Sequence, residues 1–151
     1  MKYEKFSDLS DNERLLIGKA FEASEHSVSS SGHKVGSAIL CDNNGVFLGA
    51  TNTRSRAIGS TCAERMAVDQ MVFHGSEKPT LVALAGFLQR EKWNEGNIIT
   101  PCGVCLEMYW ELIMRLGMED LEFLCVSWNK ERILRAKLTE LYPRVEAVKR
   151  S

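Results

Sequence analysis

Two cysteine motifs, Thr61-Cys62-Ala63-Glu64-Arg65 and Pro101-Cys102-Gly103-Val104-Cys105, constrain this chain more than any other feature. Cys102 and Cys105 are three apart where Pro101 opens a helix, so both sulfurs point the same way, onto the inward face, and can share one ion. Cys62 lies at the start of the preceding helix and completes the set if both helices begin at the same end of a sheet. Three thiolates fill three positions of a tetrahedral zinc ion and leave one open, the pattern of a catalytic site. A closed structural site would need a fourth protein ligand, from Cys41, Cys125 or one of the three histidines.

Glu64 belongs to the same pattern. Two residues beyond Cys62, it projects around the helix start toward the open position without ligating. There it can take a proton from water and return it to a leaving nitrogen. Three thiolates on Zn²⁺ leave a net negative charge, which makes a bound water less acidic than three neutral imidazoles would. The free N–H groups of two helix starts can draw that charge off, helped by a guanidinium donating to sulfur, with Arg65 the nearest candidate. Such a combination suits hydrolytic removal of an amine.

The rest of the chain supplies the framework. Ser10 with Glu13 fits a capping box, and Leu16, Ala20 and Ala23 recur at helical spacing, so residues 9–24 are expected as an amphipathic helix. An apolar run at 35–41, the turn Asp42-Asn43-Asn44-Gly45 and a second run at 46–50 predict a hairpin at the sheet edge. Ala63, Met66, Ala67 and Met71 extend the helix that Cys62 begins to about His74. Residues 81–88 and 121–128 read as buried strands, and 132–141 as a short strand followed by a terminal helix. Tyr109, Leu112, Ile113 and Leu116 continue the inward face of the Pro101 helix, which Gly117 closes. Strands alternating with helices over one unit, residues 1–151, imply an α/β sandwich.

Composition narrows the partners. The chain has 151 residues, 19 basic against 20 acidic, a net charge of -1 that does not favour binding a nucleic-acid backbone. No apolar stretch reaches bilayer length, and residues 1–10 lack the apolar middle of a secretory signal, so no membrane partner and a cytoplasmic location are expected. Five cysteines, three of them at ligand spacing, do not form a disulfide framework, and Cys41 and Cys125 lie in apolar segments as small core residues. Tyr109, Trp110 and Trp128 read as core or subunit-interface residues.

Cys62-Ala63-Glu64-Arg65 with Pro101-Cys102-Gly103-Val104-Cys105 resembles the cytidine deaminase superfamily, whose signature carries His or Cys, a Glu two residues on, and Pro-Cys-x-x-Cys. Cysteine at the first ligand position is similar to the small homotetrameric cytidine deaminases and the blasticidin-S deaminases. It is unlike the tRNA adenosine and polynucleotide cytidine deaminases, which use His. The resemblance runs from about residue 35 to 141 and includes Val35-Gly36, Gly49 and Glu140-Leu141-Tyr142-Pro143. It implies a three-layer α/β/α fold with a mixed sheet of about five strands, and a homotetramer or dimer with sites near subunit interfaces. It also implies Zn²⁺ on Cys62, Cys102 and Cys105, Glu64 as the catalytic proton shuttle, and backbone around Ala63 and Thr100 at the reacting edge of a base.

Departures from the family pattern concern the substrate. Thr51 and Thr53 stand where nucleoside deaminases carry an Asn and a Glu for the ribose, so the carboxylate that would grip a sugar hydroxyl is absent. His33 falls at the stacking aromatic, and Glu146 near a C-terminal Phe that some members lend to a neighbour. Leu106-Glu107 replaces Arg-Gln, and Glu107 with Tyr109-Trp110 looks more like the blasticidin-S branch. A cytosine-containing aminonucleoside or another modified pyrimidine is therefore as fitting a substrate as cytidine, and Arg54 and Arg56 are candidate contacts to an acidic group on it. Two other readings stand beside this one. A protein of the same fold can keep zinc and ligand without turnover, and Cys102-Gly103-Val104-Cys105 alone resembles a dithiol redox motif.

Overall fold

A computed structural model describes residues 1–75 and 78–142. Strand β1 (Lys2–Glu4) precedes helix α1 (Asp11–Ser24). The capping box closes as predicted: the Ser10 hydroxyl accepts from the Glu13 N–H at 3.2 Å, and the Glu13 carboxylate accepts from the Ser10 N–H at 2.9 Å. Strands β2 (Lys34–Cys41) and β3 (Val46–Ala50) form the expected hairpin, with Asn44 at φ 67 in the left-handed region that Asn tolerates. Helix α2 (Ala63–Phe73), strand β4 (Pro79–Phe87), helix α3 (Gly103–Leu116), strands β5 (Glu122–Val126) and β6 (Ile133–Lys137) and the single turn α4 (Leu138–Leu141) follow.

Among the described residues the sheet has six strands, ordered β1-β6-β5-β4-β2-β3, and only β4 and β5 run parallel. Helix α3 makes the crossover that a parallel pair requires. The hairpin does lie at an edge, with β3 outermost. β1 is the strand that apolar patterning does not reveal. It is three residues long, largely exposed and polar, and it exists by pairing with β6.

Strand alternation divides the core between two layers of helix. Leu81, Ala83 and Ala85 of β4 face α1, where they meet Leu16, Ile17 and Ala20. Val82 and Leu84 face the other way, toward Ala67 and Met71 of α2 and Tyr109 and Ile113 of α3. A strand covered on both faces must be apolar at every position, and this accounts for the unbroken apolar run in β4. The layers are therefore α/β/α.

Arg135 of β6 ties the far edge together. Its guanidinium pairs with Glu4 of β1 and Glu13 of α1, each at 2.7 Å, and with Glu122 of β5. Four elements distant in sequence meet on one planar donor, which suits a guanidinium better than an ammonium. Tyr142 is held similarly: the Trp110 indole N–H donates to its carbonyl at 3.0 Å, and its hydroxyl donates to Glu107 at 2.8 Å. Pro143 and Glu146 lie outside the described residues.

Candidate active site

Cys62 and Cys102 occupy the residue immediately before α2 and α3, with extended backbone at φ -73 and ψ 151 and at φ -74 and ψ 168. Side chains at such positions ordinarily cap the helix, but neither thiol does, so both are free to turn outward. Pro101 does not open the second helix, as its sequence position predicts. It is buried just upstream, and Cys102 takes the capping position, while the helix begins at Gly103. In consequence Cys102 is exposed at the helix tip and only Cys105, one turn in, lies on the buried face.

The sulfurs of Cys62, Cys102 and Cys105 lie within 4.8 Å of one another, and among the described residues no further His, Cys or carboxylate joins them. A tetrahedral zinc ion with Zn–S bonds of about 2.3 Å holds its sulfurs about 3.8 Å apart, which small side-chain adjustments here would reach. Three soft donors at two helix starts fit Zn²⁺, and the count of three matches a site with one open position.

Protons are shared unequally among these thiols. A hydrogen bond from Cys105 is the main influence drawing Cys62 down to about 6, against partial burial, with Cys102 and the Arg65 guanidinium assisting. Cys105 is driven well above the usual thiol range, because its proton is committed to Cys62 and its surroundings are apolar. Arg65 is thus where the sequence places it, beside the Cys62 sulfur.

Glu64 is buried, with 5% of its surface exposed, in the first turn of α2. Burial is the chief cause that lifts its carboxyl to about 7, and the neighbouring Cys62 adds to it; a backbone hydrogen bond at the helix start and Cys105 oppose. A carboxyl at that value can both accept and release a proton near neutral pH. Ala63 beside it is buried.

The residues expected to meet a substrate are held largely by backbone contacts of their own. Backbone bridges join Val28 to Asn52 and Asn52 to Thr61, next to Cys62. The Thr51 hydroxyl donates to the Thr61 carbonyl at 3.5 Å and the Thr53 hydroxyl to the Val28 carbonyl at 3.2 Å, so each retains only its acceptor capacity. His33 accepts from the Gln89 N–H through Nδ1 at 2.9 Å, which leaves Nε2 as the protonated nitrogen of the neutral ring. Thr100 is exposed before Pro101. Arg54 bends back onto the Gly59 carbonyl and the Thr61 hydroxyl, and Arg56 is exposed. Glu107 and Trp110 serve the Tyr142 anchor described above. Trp128 packs between Phe21 and Phe87, on the α1 side.

One residue near the site was read only as packing. Tyr109, one turn beyond Cys105, is wholly buried with a hydroxyl that has no hydrogen-bond partner. A phenol on the inward face of a helix is the sequence signal, since a buried tyrosine ordinarily finds a partner.

A three-layer α/β/α fold with three convergent thiols and one buried carboxylate at two helix starts defines a zinc-binding deaminase-type domain. The chain belongs to the family described as the cytidine and deoxycytidylate deaminase zinc-binding region, which matches residues 10–119. Its fold is that of solved cytidine deaminases. The Burkholderia pseudomallei enzyme superposes with a TM-score of 0.73 at 23% identity, covering 91% of this chain and 99% of that one. The Mycobacterium leprae enzyme gives 0.68 at 18% identity, over 89% and 100%. That of Bacillus anthracis gives 0.63 at 16%, over 91% of each.

Proposed function

We propose that this protein is a hydrolytic deaminase that removes the exocyclic amine of a cytosine-type nucleoside, or of a modified or blasticidin-S-like analogue, and releases ammonia. One observation carries the reading: a buried carboxylate, Glu64, stands two residues from Cys62 in a three-thiol cluster that has no fourth protein ligand among the described residues. Cys62, Cys102 and Cys105 would hold Zn²⁺. When bound, the ion supplies the Lewis acidity that makes water nucleophilic near neutral pH.

The protein's own groups do the rest. Glu64 takes one proton of the attacking water and passes it to the ring nitrogen as the C–O bond forms and the ring C=N bond opens, then carries the remaining hydroxyl proton to the exocyclic nitrogen as the C–N bond breaks, the carbonyl forms and ammonia leaves. Arg65 and the two helix starts offset the negative charge of the thiolates. Backbone around Ala63 and Thr100 meets the reacting edge of the base, His33 stands at the position that stacks on its ring, and Thr51 and Thr53 border the sugar side. Those threonines have committed their protons to backbone and carry no charge. The sugar subsite therefore offers weak acceptors in place of a carboxylate, which supports a substrate other than a plain ribonucleoside.

The same reading extends to the setting. One domain over residues 1–151 works in the cytoplasm on a small molecule. The resemblance to the small cysteine-ligated deaminases supports assembly as a homotetramer or dimer. Among the described residues no helix is long and apolar enough to cross a membrane.

The test is ammonia release from cytidine, deoxycytidine, cytosine, blasticidin S and N4-substituted cytidines, with wild type and Glu64→Ala side by side. Release from one member that falls by about 10²–10⁴-fold in Glu64→Ala, with zinc retained, is the expected result. Equal release by both proteins would overturn the role of Glu64. Silence of the zinc-loaded wild type across the panel would move the protein to a ligand-binding role on the same fold.

A further inference from the structure

Residues 53–60 leave the site and return to it as a loop. Its base is fixed by Asn52 and Thr61, which exchange two backbone hydrogen bonds: the Asn52 N–H donates to the Thr61 carbonyl at 2.9 Å and the Thr61 N–H to the Asn52 carbonyl at 2.8 Å. Cys62 follows directly, so a group that rests on Thr61 stands one residue from a thiol of the cluster. Arg54 is that group. Its Nη1 donates to the Thr61 hydroxyl oxygen at 3.3 Å and to the Gly59 carbonyl, while its backbone N–H donates to the Ser60 hydroxyl oxygen at 2.9 Å. Backbone and guanidinium are both anchored within the loop.

These contacts occupy one guanidinium nitrogen and leave the others. Nε and Nη2 make no hydrogen bond among the described residues, and together they form the side-on fork that matches two oxygens of a carboxylate or phosphate. Both partners of Nη1 are neutral, so the positive charge is not offset. Arg54 takes part in none of the ion pairs among the described residues.

The surrounding sequence supplies no counter-charge. Between Glu25 and Glu64 the single carboxylate is Asp42, which lies beyond Cys41 at the far end of β2 from Lys34, the residue that pairs with Phe87 at the site end. Glu25 pairs with Lys34 at 3.2 Å. The other loop that leads to the thiols, residues 88–101, carries Arg90 and Lys92 against Glu91 and Glu95 and adds no net charge. Arg54 and the exposed Arg56 therefore leave the Thr51–Thr53 side of the site positive, where a carboxylate at Thr53 would have neutralised it.

We infer that the substrate carries an anionic substituent, a phosphate or a carboxylate, at the end of its sugar away from the base, and that the Nε–Nη2 edge of Arg54 receives it. The inference rests on the proposed deaminase reading, which sets where base and sugar lie. Arg56 adds to the local field. The negative charge of the thiolates and Glu64 repels an anion from the reacting edge while Arg54 attracts it at the opposite end, so the same substituent also orients the base.

The experiment compares cytidine, cytidine 5′-phosphate and the 5′-carboxylic acid of cytidine. Calorimetric titration into zinc-loaded Glu64→Ala, which binds without turnover, should show one of the two anions held about 10–100-fold more tightly than cytidine, with an advantage that shrinks as salt is raised. Adding Arg54→Gln should erase the advantage, and Arg54→Lys should restore part of it, because an ammonium supplies the charge without the fork. Tighter phosphate names a nucleotide substrate, and tighter carboxylate a uronic acid nucleoside. Anions that bind no better than cytidine, or an advantage that survives Arg54→Gln, would overturn the inference. With Glu64 present, kcat/KM should show the same preference. If no member is deaminated the proposed function fails, while the titration still decides this question.

Discussion

The carbonyl oxygen of Ala63 rests against the bare Cα of Gly49: a Cβ built on Gly49 would overlap that oxygen and press on the Ala67 amide. Glycine in β3 therefore sets how closely the first turn of α2 approaches the sheet. Cys62 and Glu64 flank Ala63, so the same contact fixes the height of one metal ligand and of the buried carboxylate.

Gly49→Ala should push the start of α2 off β3. Overpacking against backbone costs about 1–3 kcal/mol. Urea unfolding should show that loss, and competition with a chromophoric chelator should show weaker zinc binding than wild type. Unchanged stability and affinity would mean that the helix start is not held by this contact.

Cys102→Ser removes a ligand from the exposed tip of α3. Metal affinity and stability should fall together, since the free energy of binding to a folded site adds to the free energy of folding. Thermal denaturation with and without zinc measures the coupling. A variant that binds one zinc per chain as tightly as wild type would rule Cys102 out as a ligand.

Arg65→Gln keeps a hydrogen-bond donor beside Cys62 and removes the charge. Partners of metal ligands contribute about 10–100-fold in affinity or activity, and a loss in that range is expected here, with partial recovery in Arg65→Lys. Chelator competition at several pH values should also show that zinc binding now needs a higher pH, because Cys62 loses an influence that holds its thiol low.

The Arg135 cluster should give the protein an acid-sensitive edge. Burial alone would raise the Glu4 and Glu13 carboxyls, but hydrogen bonds outweigh it, from Arg135 and Lys2 at Glu4 and from the Ser10 backbone and Arg135 at Glu13, and both lie below the ordinary 4.5. A carboxylate depressed on folding contributes stability that is complete above the unfolded value of 4.5 and is lost as pH falls through the lower folded value. Arg135→Met should cost on the order of 2 kcal/mol at neutral pH and flatten the decline below about pH 4.5. An equally steep acid decline in the variant would place that sensitivity elsewhere.

Local chemistry was legible wherever a signal is contained in a few neighbouring residues. Ser10 with Glu13, the Asp42-Asn43-Asn44-Gly45 turn and Gly117 at φ 68 each satisfy backbone groups within one turn, and they appear where the sequence puts them. Strand β1 did not, because its pairing with Ile133, Leu134 and Arg135 spans nearly the whole chain and nothing apolar marks it. The start of α3 shifted by a residue pair because proline is tolerated both in the first helical turn and just before it, and packing of the buried Pro101 chooses between the two.

Sequence by itself determined the donor set and its spacing: three thiols, a carboxylate two residues from the first, and an arginine next to it. Spacing fixes which atoms can be neighbours along a helix start, and that is a local matter. Tertiary structure decided that two helices begin over the same end of the sheet, bringing sulfurs forty residues apart in the chain within 4.8 Å. It also decided that Glu64 is buried enough to titrate at about 7, and that the Tyr109 hydroxyl lies partnerless beneath the site. Burial and proximity come from how layers pack, and no short stretch of sequence encodes the neighbours that a distant strand supplies.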